Sequence, residues 1–200
     1  RNDAHQINLE LLRSIRKAVK RVSPEAYLMG ENFFEAADQL QGDGFDAVMN
    51  YTGFADPILH WLTGFEQDAL RCDAILKTGI PWDTDTMLLA WNENLASIPW
   101  QIALQQFNLL DSHDTPRVLT MLKGDKVLSR LVAMVQFTFP GVPCMYYGDE
   151  IGLTNEAGFD SRNCFPWDEQ QWDQETLEFY RKLIALRRGS LALARGGFEV

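Results

Sequence analysis

Glu31 and the pair His113-Asp114 are the side chains in this sequence best suited to chemistry, and each stands where a short apolar run stops. Glu31 follows Tyr27-Leu28-Met29-Gly30, and His113-Asp114 follows Asn108-Leu109-Leu110-Asp111 after a single serine. A carboxylic acid kept protonated by burial can protonate a leaving oxygen, while a second carboxylate offsets the charge of an oxocarbenium-like transition state. Two acids with those jobs suit cleavage of a glycosidic bond. If both runs are parallel strands of an α/β barrel, residues at their carboxyl ends face one pocket, so their separation in sequence is no obstacle.

Each candidate has a plainer reading. Glu31, flanked by Met29, Gly30, Phe33 and Phe34, is expected in apolar surroundings, or else it caps the following helix or pairs with a lysine. Asp114-Thr115-Pro116 makes a good helix N-cap with proline near the first turn, whereas an imidazole beside a carboxylate suits gripping sugar hydroxyls. Tyr146-Tyr147-Gly148-Asp149-Glu150 ends a further apolar run and offers either an aromatic platform for a sugar face or two strand tyrosines before a Gly-Asp turn. Residues 152–167 form a connection longer than usual, a candidate binding loop in which Arg162 is a hydroxyl donor. Tyr51, just beyond the apolar run at 46–50, is another candidate substrate contact, and the six tryptophans read as core.

The elements that must position these residues alternate. Ile7, Leu11, Leu12, Ile15, Val19 and Val22 recur at helical spacing before Ser23-Pro24, and residues 26–30 read as a strand. A short helix at 34–40, a strand at 46–50 and a helix opening at 56–61 follow, continued by a long helical stretch. Helices at 84–96 and 98–107 lead to a strand at 108–111; a helix begins after Asp114, another spans 127–139, a strand covers 142–147 and a last helix covers 176–188. Four alternations of strand and helix predict a parallel sheet with crossover helices.

The 200 residues carry a formal charge of −10, which argues against a nucleic-acid or anionic membrane partner. Cys72, Cys144 and Cys164 have no C-x-x-C spacing, so neither a disulfide framework nor a zinc site is indicated. No apolar stretch approaches the roughly 18 residues of a membrane span. A cytoplasmic setting is expected, with no cofactor and no metal ligand set. The sequence runs from Arg1 to Val200 and reads as a stretch of a longer protein.

Three motifs in order, M-G-E-N at 29–32, L-L-D-S-H-D-T-P-R at 109–117 and P-G-V-P-C-M-Y-Y-G-D-E at 140–150, resemble the α-amylase family of retaining glycosidases. The resemblance covers nearly the whole chain. It implies a partial TIM (β/α)8 barrel, roughly strands 5–8, with residues 1–190 as the C-terminal half of the catalytic barrel and 191–200 as the start of a C-terminal β domain. It also implies that Glu31 is the general acid/base and that His113 and Asp114 bind substrate hydroxyls and stabilise the transition state. The family's nucleophilic aspartate lies in an R-x-D motif on the fourth strand, placed by this reading ahead of Arg1, so the stretch alone is expected to be inactive and its parent to be the enzyme.

Together with S-H-D-T-P-R, the segment R-N-C-F-P-W-D at 162–168 resembles the cyclomaltodextrinase, neopullulanase and maltodextrin glucosidase group, which implies Arg162 as a substrate contact. The acidic residue usual four positions earlier is Gly158 here, with Asp160 nearby. The expected activity is retaining hydrolysis of α-glucosidic bonds in maltodextrins or cyclodextrins. The alternatives are an α-glucan transglycosylase that excludes water and a non-catalytic glucan-binding or structural protein.

Overall fold

The computed structural model describes residues 2–64, 79–155 and 161–199. Helix α1 (Asn2–Val22) leads into strand β1 (Met29–Gly30), and a 3-10 turn at Ala37–Gln39 precedes strand β2 (Ala47–Val48). A π-helical turn, Tyr51–Ala55, opens into helix α2 (Asp56–Thr63), which stops at Gly64 in the left-handed conformation. Helices α3 (Thr84–Ser97) and α4 (Trp100–Ala103) precede strand β3 (Phe107–Asn108). Helices α5 (Val118–Met121) and α6 (Lys126–Thr138) precede strand β4 (Val142–Pro143), and helices α7 (Gln174–Gly189) and α8 (Leu191–Arg195) follow.

β1 pairs with β2 and β3 with β4, both in parallel, and a parallel bridge between Met49 and Phe107 joins the two ladders. The four strands therefore stand side by side in sequence order, with their carboxyl ends on one rim. Backbone pairing is brief, and buried side-chain amides extend it. Asn50 Nδ2 donates to Asn108 Oδ1 at 2.8 Å, Val48 N to Gln106 Oε1 at 3.2 Å, and Gln136 Nε2 to the Asn108 and Cys144 carbonyls at 3.1 and 2.7 Å. Gly141, at φ +121°, lets the chain enter β4 where a Cβ would collide with Asn108 and the Gln106 carbonyl.

The main core lies between the strands and α2, α3 and α6, where Phe54, Trp91 and Phe139 form one aromatic cluster with centroids 4.8–6.4 Å apart. Phe198 returns to pack its ring on Phe139 at 5.0 Å. A satellite cluster of Ala133, Phe137, Tyr180 and Leu183 binds α6 to α7. Helix starts are secured by aspartates: Asp83, Asp125 and Asp173 each accept from backbone N–H groups of the first turn. Arg187 of α7 donates to the carbonyls of Phe137, Phe139 and Gly141 and so closes the C-terminus of α6.

Several expected boundaries move. The helix expected at 98–107 is only α4, because Gln106 turns its side chain inward to serve β2 and its carbonyl serves Val142. The segment from 191, expected to open a β domain, begins with α8, whose start is capped by the Ser190 hydroxyl. The apolar stripe of α1 is largely open, with Ile7, Leu11 and Ile15 exposed. The helical stretch expected beyond Trp61 and the cysteine at position 72 lie outside the described residues. Among the described residues no helix is long and apolar enough to cross a membrane.

What ties α1 to the strands is electrostatic. Buried Asp46 receives Leu28 N at 2.8 Å, Arg16 Nη1 at 2.8 Å and Lys20 Nζ at 3.0 Å. Burial alone would raise its pKa, but the Leu28 N–H and the two cations outweigh burial and hold the carboxyl below the usual carboxylate range. A depressed folded value gives stability that is present above the unfolded value near 4 and is lost as the pH falls through the folded one. Asp46→Asn should therefore cost about 2 kcal/mol at neutral pH, with the gap to the wild type closing below about pH 4, as read from urea midpoints across pH.

Candidate functional site

Because the strands are parallel, the residues that follow them share one rim. Glu31 comes directly after β1, Tyr51 follows β2, the segment 109–117 follows β3 and the segment 144–147 follows β4.

Tyr51 is the centre of the arrangement. It is fully buried, its ring stacks on Phe33 at 4.3 Å, and its hydroxyl donates to Ser112 Oγ at 2.9 Å. Burial pushes its phenol up to about 12; the Ser112 bond opposes this, and the Glu31, Asp114 and Asp111 carboxylates add to it. The phenol thus lies within electrostatic reach of both Glu31 and Asp114. Glu31 itself is exposed, contrary to its expected apolar enclosure: Phe33 is committed to Tyr51, and Met29 and Phe34 stand open to solvent.

The turn after β3 is tightly wired. Ser112 Oγ accepts from Asp114 N at 3.0 Å, Ser112 N donates to Thr115 Oγ1 at 2.8 Å, and the Ser161 hydroxyl donates to the Thr115 carbonyl. Asp114 does not cap a helix. Pro116 has no N–H, α5 begins only at Val118, and the Val118 N–H is taken by Asp111 Oδ2. That leaves the Asp114 carboxylate free of backbone duty: Oδ1 receives Arg162 Nη2 at 2.7 Å, and His113 Nε2 lies 3.2 Å from Oδ2. Asp114 is partly buried, while His113 and Arg162 are about half exposed. Three of the predicted residues are thereby assembled into one polar cluster.

Tyr147 sits at the edge of this cluster. Its hydroxyl donates to the Asn163 carbonyl at 2.6 Å, and its ring meets Tyr146 edge-on at 4.7 Å. One face of each tyrosine is occupied by the Arg117 guanidinium, 4.9 Å from both centroids. The pair therefore holds the protein's own cation as well as bordering the rim.

Arg117 is the residue whose importance the motif pattern conceals. It is buried to 1% exposure, and its guanidinium reaches the Tyr147 carbonyl at 2.7 Å, Asp149 Oδ1 at 3.3 Å and the Ser161 carbonyl at 3.3 Å. Its backbone N–H donates to Asn155 Oδ1 at 2.6 Å, and Asn155 Nδ2 donates to Ser161 Oγ at 2.8 Å. Gly148, at φ +92°, is required beside it, since a Cβ would run into Leu153 and come within 3.2 Å of Arg117 Nη1. Positions 158 and 160 lie outside the described residues. Among the described residues no group of three or more His, Cys, Asp or Glu side chains could hold a metal ion.

Residues 3–171 match the alpha amylase catalytic-domain family. A cyclomaltodextrinase from a Bacillus species is 38% identical over 196 residues, covering 98% of this chain and 32% of that protein. Neopullulanase 2 from Thermoactinomyces vulgaris is 36% identical, covering 96% of this chain and 30% of that protein. Among solved structures, the ligand-free cyclic α-maltosyl-(1→6)-maltose hydrolase from Arthrobacter globiformis superposes with a TM-score of 0.80 at 35% identity, over 96% of this chain and 40% of the other. The chain spans about a third of the length of the curated relatives it matches. With the family model covering most of its length and solved relatives sharing its backbone, the chain belongs to the α-amylase catalytic-domain family.

Proposed function

We propose that the protein carrying this chain hydrolyses α-1,4-glucosidic bonds in maltodextrins or cyclodextrins with retention of configuration. The observation that carries this reading is that Glu31 and Asp114 both follow the carboxyl ends of strands in one parallel set. In this reading Glu31 protonates the leaving glycosidic oxygen and then activates water. Asp114 and His113 grip hydroxyls of the distorted sugar, and Arg162 orients the Asp114 carboxylate. Tyr147 borders the sugar, and Tyr51, fully buried, supports the Asp114 turn from behind through Ser112 instead of touching substrate. β1 to β4 serve as strands 5–8 of the barrel, residues 1–190 as its C-terminal half, and the stretch beyond as the way into a β domain. A cytoplasmic setting goes with this reading.

In this reading the attacking group is the aspartate of the family's R-x-D motif on the fourth barrel strand, which the described strands do not include. That aspartate attacks the anomeric carbon as Glu31 protonates the departing oxygen, and water assisted by Glu31 then releases the sugar from the enzyme. Transglycosylation differs only in the acceptor of the second step. It would appear as longer oligosaccharides when a sugar acceptor is added.

Glu31→Gln in the full-length protein should lower kcat on maltotriose by about 10²–10⁴, the usual worth of a positioned general acid, while sparing much more of the first step on an α-glycosyl fluoride, whose leaving group needs no proton. An undiminished rate on maltotriose would remove Glu31 from the mechanism. A fluorosugar that traps the covalent intermediate in the full-length protein should label an aspartate in an R-x-D motif; labelling of Glu31 or Asp114 would overturn the roles given to them. Tyr51→Phe should cost about 1 kcal/mol in urea denaturation, since it deprives the Ser112 hydroxyl, which anchors the Asp114 turn, of one of its two hydrogen-bond partners.

A further inference from the structure

Behind the rim two more carboxylates are buried with a single cation. Asp111 is 2% exposed, Asp149 8% and Arg117 1%. The two carboxyl groups are in hydrogen-bond contact with each other. Asp111 Oδ2 is taken by Val118 N–H and Asp149 Oδ1 by Arg117 Nη1, whereas Asp111 Oδ1 has no donor unless Asp149 itself carries a proton. Two buried anions against one guanidinium would leave a net charge in a dry site. One proton removes both the excess charge and the orphaned acceptor.

We propose that Asp111 and Asp149 hold one proton between them, and that this hydrogen bond, closed by Arg117, is the positioning device that sets the turn carrying Asp114 against the strand end carrying Tyr147. Neither residue touches substrate in this scheme. Asp111 begins the turn 111–114, and Asp149 lies two residues beyond Tyr147, so the shared proton joins the connections after β3 and β4. The inference deepens the proposed role of Asp114, but the proton itself is independent of that role.

The surroundings favour a retained proton. Besides Arg117, the pair faces Tyr51 after β2, Cys144 and Tyr146 after β4, Tyr180 of α7, and Glu150 beside Asp149. Only Arg117 among these is cationic. Burial raises both carboxyls above their usual range, and the negative charge of Asp111 raises Asp149 further. A value raised in the folded state gives stability that is complete below the unfolded value near 4 and is lost as the pH climbs towards the folded one.

The test uses the full-length protein with Asp149→Asn, Asp111→Asn, the double variant and Asp114→Asn. Asparagine supplies the N–H that the shared proton supplies, so each single variant keeps one carboxylate for Arg117, and the double variant keeps none. Infrared spectra followed across pH should show, beside the Asp56 band that titrates near 7, a second protonated carboxyl band that both single variants lose and Asp114→Asn retains. The urea midpoint of the wild type should fall relative to Asp149→Asn as the pH rises from 4 to 8, and the double variant should lose far more than the sum of the singles. The alkaline limb of kcat/KM should move upward in Asp149→Asn, which has no proton to give up. A band unchanged in both single variants, or single variants as destabilised as the double, would overturn the shared proton. Absence of turnover in every form would count against the proposed function alone, because the infrared and stability readings do not need it.

Discussion

Burying the Arg117 guanidinium obliges the chain to surround it with acceptors, and the way it does so fixes the geometry of the rim. The Tyr147 carbonyl and the Asp149 carboxylate come from the chain just after β4 and the Ser161 carbonyl from the loop beyond it, all remote in sequence from Arg117, and two tyrosine faces close over the flat sides. Breaking a buried charge pair by removing one partner typically costs about 3–5 kcal/mol, because the other charge is left stranded. None of those stretches can therefore drift without exposing the cation or orphaning an acceptor. A guanidinium suits this position better than an ammonium, since its planar fork addresses carbonyls and a carboxylate at once while both faces meet aromatic rings.

The strands that bring these stretches together are only briefly paired, and their register is held by amides that cross between them. Asn108 alone accepts from Asn50, donates to the Pro140 carbonyl, and gives its own carbonyl to Gln136 and Cys144 N. Such contacts are directional, so a slip of one residue would unmake several buried hydrogen bonds together. The rim inherits that precision. Tyr51, Ser112 and Asp114 form a continuous hydrogen-bonded chain because β2 and β3 are locked at Asn50 and Asn108.

Much of this was legible in the sequence where the signal is local. The four apolar runs, the helices between them and the polar residues placed just after Gly30 and Leu110 follow from periodicity and turn chemistry, and they lead to the same cluster of Asp114, His113 and Arg162 that the fold assembles. The contacts of Arg117 and the Asp111–Asp149 pair were not legible, because they depend on which strand ends become neighbours. The capping role pointed to Asp114 for a related reason. Aspartate before Thr-Pro is a sound local signal, and only the later start of α5, with Asp111 reaching back to Val118 N–H, reassigns it.

That reassignment explains how three aspartates so close in space can differ in purpose. Asp111 and Asp149 are buried with Arg117 and are fully used in holding backbone and cation. Asp114, partly exposed, is held at its own backbone N–H by the Ser112 hydroxyl, while its carboxylate answers to side chains that solvent or a ligand can reach. A carboxylate that must respond to a sugar cannot also cap a helix, since each lone pair committed to backbone is one withdrawn from substrate. By giving the cap to Asp111 and the cation to Asp149, the fold leaves Asp114 rigid in position and open in chemistry, the combination that preorganised stabilisation of a developing charge requires.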